Sequence, residues 1–149
     1  MKFVATASIS LLLFFGTSAV QAQRSPINRN GGAYAIDGYD PVAYFIEGRA
    51  VRGTQEFSFE YLGSTFLFAS AEHRERFESR PSRYAPQYGG YCAYAMAKGQ
   101  FVTVDPQAFT VHGGKLYLNY SRTIQEKWLE HRDEYIQSAN QNWARLRPR

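Results

Sequence analysis

The sequence predicts an α+β fold: a small single domain with two short β-hairpins, a few short helices and a long C-terminal helix. Three observations carry this expectation. Two stretches alternate apolar and polar residues with the period of half-buried strands, each around a tight turn. Capping residues stand immediately before the helical stretches. Strand and helix signals are interspersed in short units, and no repeat, low-complexity tract or linker divides the chain. At 149 residues, 44% hydrophobic and 16% aromatic, the composition is that of one folded domain.

Taken in order, residues 23–32 form a polar lead-in closed by Gly31-Gly32, expected to be flexible. The domain is expected over 33–144, with a basic tail at 145–149. Ala33 to Ile36 predict a short strand. Asp40-Pro41 then opens a short helix, because Asp caps free N–H groups and Pro fits the first helical position. Gly48 ends it. Phe57 to Tyr61 and Thr65 to Phe68 form a hairpin around Leu62-Gly63-Ser64. Ser70 caps the next helix, with Glu72 in its first turn where the dipole favours a negative charge; Pro81 stops it. After a loop over 81–90, a short helix covers Tyr91 to Lys98 and ends at Gly99. Phe109 to Val111 and Leu116 to Leu118 make the second hairpin around His112-Gly113-Gly114. Ser121 opens the long C-terminal helix, whose Ile124, Trp128, Tyr135, Ala139 and Trp143 recur at helical steps on one apolar face.

The N-terminus carries an address. Residues 1–22 read as a secretory signal peptide: Lys2 gives the positive start, Phe3 to Val20 are apolar, and Val20-Gln21-Ala22 suit a signal peptidase. Gln23 becomes the new N-terminus, and the product is expected to be exported and periplasmic. No later stretch is apolar enough to span a bilayer, so no stable membrane insertion is expected after cleavage. The formal charge of +4, from 17 Lys and Arg against 13 Asp and Glu, resides in Lys2 and in arginines at the two ends. The body between residues 31 and 144 is slightly acidic, which argues against a nucleic-acid partner.

Catalytic signatures are missing. There is no P-loop, GxGxxG, GxSxG or HExxH. The single cysteine excludes an intrachain disulfide, a CxxC redox pair and zinc sites built on several cysteines. Asp37 with Asp40, and Glu75 with Glu78, read as caps or solvated faces. A thiol triad of Cys92, His73 or His112, and Asp105 has no spacing that selects it. The expectation is that the chain is not an enzyme. Asn119-Tyr120-Ser121 matches a glycosylation acceptor, a pattern that chance alone supplies.

What chemistry remains gathers at Cys92. Paired glycines before a helix place Cys92 in its first turn, where free N–H groups stabilise a thiolate. Met96 follows one turn later on the same face, and a thiolate with a thioether is a soft pair suited to Cu(I). Both residues equally suit plain core packing. His73 shares a helix face with Phe77, as a hydrogen-bonded inner residue or as a ligand. His112 falls in a turn, and His131 sits at the edge of the last helix's apolar face. A blue-copper arrangement fails, because no histidine lies between Cys92 and Met96.

The run from Asp37 through Asp40-Pro41-Val42-Ala43-Tyr44-Phe45, with Gly63 to His73, Phe77, Pro81 and Tyr84, resembles the YHS domain. The block Tyr84 to Ala93, with Gly114 to Tyr120 and Trp128, resembles its exported stand-alone bacterial branch. The resemblance implies a small α+β module associated with metal handling and without an established reaction. Where metal-associated members carry three cysteines, this chain has Ala43, Ala69 and His73. Two functional readings follow. The first is a non-enzymatic exported module binding copper or another soft metal ion through Cys92 with His73 or Met96. The second is a metal-free module binding a small ligand or a protein through a Tyr-rich surface at Tyr88, Tyr91 and Tyr94. A weaker third is an intermolecular disulfide through Cys92.

Overall fold

Two hairpins and their attached helices form half-units that repeat one another along the chain. The computed structural model describes residues 24–149; the segment expected to be a signal peptide, and the cleavage expected before Gln23, lie outside the described residues. The first half comprises a left-handed turn (Ala35–Gly38), α1 (Ala43–Ile46), the hairpin β1 (Thr54–Tyr61) and β2 (Ser64–Phe68), and α2 (Ala71–Ser79). After the single turn of α3 (Pro81–Tyr84), the order recurs: a left-handed turn (Gln87–Gly90), α4 (Ala93–Ala97), β3 (Asp105–His112), β4 (Lys115–Asn119) and α5 (Arg122–Glu130). A last helix, α6 (Arg132–Leu146), follows. The hairpins form two separate two-stranded antiparallel sheets, so the fold is α+β as the sequence predicts. The expectation that the chain holds no repeat is corrected.

The correspondence reaches individual residues. Ile36, Asp37 and Gly38 have positive φ, as do Tyr88, Gly89 and Gly90, and each turn closes with a backbone bond, Tyr39 N–H to Ile36 O and Tyr91 N–H to Tyr88 O. The Asp40 N–H donates to Val51 O at 2.8 Å, and the Cys92 N–H to Val102 O at 2.9 Å. Both hairpins bulge at the same place: Phe68 pairs with Thr54 and Leu67 with Ser58, while Asn119 pairs with Asp105 and Leu118 with Phe109. Ser70 and Ser121 cap α2 and α5 by accepting the N–H of His73 and Ile124. Phe77 and Trp128 occupy matching places on those helices, and both are fully buried. The separation between partners changes by only one residue along the whole unit.

The core is built around these matched side chains. Phe77 meets the rings of Phe59, Tyr61, Phe66 and Phe68 at centroid distances of 4.8–6.1 Å, and Trp128 packs on Tyr117 at 5.3 Å. Tyr44 ties the halves together: its ring lies 4.8 Å from Phe109 and its hydroxyl donates to Pro106 O at 2.9 Å.

The halves differ where the chain ends intrude. In the first half the Gly53 N–H donates directly to Gly38 O at 2.9 Å. In the second, two asparagines are interposed. Asn28 Nδ2 donates to Gly90 O, and Asn30 Oδ1 accepts the Val104 N–H while its Nδ2 donates to Val104 O. Ile27 is buried beside them, and Gly89 is compelled to be glycine, since a Cβ would stand 2.0 Å from Pro26 O. The lead-in expected to be flexible is therefore bound into the body. The strand expected over Ala33 to Ile36 is replaced by one bridge, Tyr34 to Thr65, and the left-handed turn. The long C-terminal helix is broken at His131 (φ −134°, ψ 40°) into α5 and α6. Pro81 does stop α2, and it also begins α3.

Because the first half places phenylalanine where the second has Trp128, whose Nε1 has no partner, Trp128→Phe is expected to cost under about 2 kcal/mol. Trp128→Ala should cost about 3–5 kcal/mol, both by chemical denaturation.

Candidate functional site

Asp40 sits at the mouth of α1 with no exposed side-chain surface. Its Oδ1 accepts the N–H of Val42 (2.8 Å) and Ala43 (3.3 Å), and its Oδ2 accepts the N–H of Ala69 (2.9 Å). His73 Nδ1 lies 2.6 Å from the same Oδ2. A carboxylate facing only N–H groups has no proton to give, so the ring proton resides on Nδ1. This fixes the orientation of an imidazole whose side chain is only 10% exposed. The lone pair of Nδ1 is thus unavailable to a metal, leaving Nε2.

Cys92 holds the matching place in the second half. The N–H groups of Tyr94, Ala95 and Tyr120, the counterparts of Val42, Ala43 and Ala69, are directed at its sulfur. Burial nevertheless dominates and pushes the thiol pKa up, with those amides opposing it. The thiol donates to Asn119 Oδ1 at 3.5 Å, and the same oxygen accepts the Tyr94 N–H at 3.1 Å. Of the two readings of Cys92, thiolate or packed core residue, the surroundings match the second, and its expected place in the first helical turn is corrected. Cys92 precedes α4 as its cap residue, is 1% exposed, and is held as a thiol by desolvation. In place of His73 the second half has Ile124, and no ring reaches the sulfur from that position.

The other candidates are committed elsewhere. Met96 is fully buried in the cluster around Tyr117 and Trp128, whereas Cys92 packs in the cluster around Phe66 and Phe77. His112 is half-buried beside Asp133, and His131 is exposed beside Glu134. Asp105 accepts the Gln107 N–H in its own strand. Among the described residues no three His, Cys, Asp or Glu side chains are grouped to hold a metal ion. The three candidate donors lie in different surroundings: His73 is bonded through Nδ1 to Asp40, the Cys92 thiol to Asn119, and Met96 packs around Tyr117 and Trp128. Asn119, in the acceptor pattern, is fully buried.

The tyrosines separate by role. The Tyr91 hydroxyl donates to Ser25 O at 2.8 Å, and the Tyr94 ring packs edge-on against Tyr135 with Lys98 above it. Tyr88 instead lines a cavity of about 770 Å³, in the range of small-molecule sites. β1 contributes Tyr61, the β1–β2 turn Leu62, the left-handed turn Tyr88, α6 Trp143, and the segment after α6 Arg147 and Arg149. The Tyr88 hydroxyl donates to Asn140 Oδ1 at 3.0 Å, which locks that wall to α6, and burial raises its pKa. The sequence placed Leu62 in a turn and Trp143 on the apolar face of the last helix, and gave neither a role in a site. The available signal was Leu62-Gly63 as a two-residue hairpin turn, where asparagine or glycine is preferred at the first position.

Comparison of the chain with protein-family models, with curated proteins and with solved structures found no match in any of the three. No helix among the described residues is long and apolar enough to cross a membrane.

Removing one member of a buried charged network strands the others, so Asp40→Ala is expected to lose about 3–5 kcal/mol of stability in urea titrations. Cys92 should stay silent toward an aromatic disulfide reagent at neutral pH. It should react with one equivalent once denaturant opens the fold.

Proposed function

We propose that this chain is a non-catalytic exported module, periplasmic and akin to the YHS domains it resembles, that binds a small organic ligand in the aromatic cavity without metal. The observation that carries this reading is Leu62. It has φ +50° at the first position of the hairpin turn and is 55% exposed, at the cavity wall. A leucine there is unfavourable twice over. The left-handed backbone costs about 1 kcal/mol for a residue with a Cβ, and the apolar side chain stands in water. The second hairpin makes the same turn with Gly113-Gly114, so the scaffold does not require leucine. Strain and exposure kept together beside a cavity point to contact with a ligand.

The aromatic lining suits an apolar guest. Trp143 lines the cavity while Trp128 is fully buried in the core, so quenching of Trp143 reports occupancy. N-phenylnaphthylamine, a neutral fluorophore, is expected to bind and quench it. Leu62→Gly should raise thermal stability and weaken probe binding at the same time. A variant that gains stability with unchanged binding would sink the reading, since Leu62 would then be only a poor turn residue.

A further inference from the structure

We infer that the ligand of this cavity is a small amphipathic anion, an apolar or aromatic body bearing one carboxylate, sulfonate or phosphate. The inference rests on the cavity being the binding site and adds what the site selects. Its lining combines two kinds of surface: Tyr61, Leu62, Tyr88 and Trp143 supply apolar area, and Arg147 and Arg149 supply positive charge. None of the described residues lining it is acidic. The body of the chain leans acidic, so two guanidinium groups at this one cavity run against the general charge. Guanidinium groups match the oxygen geometry of an oxyanion.

The repeated architecture places this selectivity in elements the duplication does not share. α3 and α6 begin at matching positions after α2 and α5, but α3 stops after one turn while α6 continues to Leu146. The extension carries Trp143, and the segment beyond it carries both arginines. Pro26 and Ile27 of the lead-in also face the cavity, and they too have no counterpart in the first half. The chain's added segments thus give the cavity Trp143 and its two arginines, while Tyr61, Leu62 and Tyr88 come from the repeated elements.

The test is a matched pair of probes on the full chain. N-phenylnaphthylamine and anilinonaphthalene sulfonate share one aromatic body, and only the second carries an anion. At low salt the sulfonate is expected to bind about tenfold more tightly, with the preference shrinking as salt rises. Arg147→Gln with Arg149→Gln should abolish the preference while leaving the neutral probe bound. Arg145→Gln removes one equal charge from α6 outside the cavity lining, and should keep the preference. Equal affinity for both probes, or a preference that Arg145→Gln reduces as much as the paired variant does, overturns the anion inference and leaves the cavity reading intact. If neither probe binds, both fall. Because all three arginines are substituted at the exposed end of the chain, a folded variant is expected in each case and circular dichroism verifies it.

Discussion

The placement of the Asp40 carboxylate governs the geometry of the first half. Its two oxygens collect three backbone N–H groups from the start of α1 and the end of β2, together with the imidazole of α2. Those amides are orphans of chain direction: they belong to a helix start and a strand exit, so no ladder or helical bond is available to them. One acidic side chain thus joins three elements whose own backbone bonding cannot reach one another. The second half meets the same requirement differently. There Cys92 occupies the centre, and Asn119, from the end of β4, supplies the oxygen that takes the Tyr94 N–H and the thiol proton.

The two solutions make the molecule its own control. Because the second half closes its junction with Ile124 in the histidine position, the scaffold does not need an imidazole there. What it needs is an acceptor for three amides. By the same comparison, Leu62 and the continuation of α6 are departures from the shared plan, and both belong to the cavity. The buried junctions thus follow what the halves have in common, and these two departures fall beside the cavity.

The parts of the fold set by local chemistry were legible in the sequence. Ser70 and Ser121 capped the helices they announced, both hairpins turned where expected, and Asp40 took free N–H groups at the start of α1, whose cap residue is Val42. Features that depend on distant partners were not. The repeat escaped because its matched positions are filled by unlike residues: Asp40 and Cys92, His73 and Ile124, Phe77 and Trp128. Ala33 to Ile36 read as a strand because a β-branched residue at positive φ is rarely tolerated, and here Ile36 is held there by burial. The apolar face that runs through α5 and α6 hides the break at His131, since both helices pack on the same core. For the site, the sequence left Cys92 open between a thiolate and a packed core residue, because its dehydration comes from residues far away in sequence.

The burial of Asn119 has a practical corollary. Its side chain completes the junction around Cys92 with no surface left to carry a sugar, yet Asn119-Tyr120-Ser121 is an acceptor pattern for enzymes that modify a chain as it emerges. A glycan attached at that stage occupies the position on which the second half closes, and Ser121 cannot simply be replaced, because its hydroxyl caps α5. Recombinant production therefore belongs in hosts whose export route adds no such sugars.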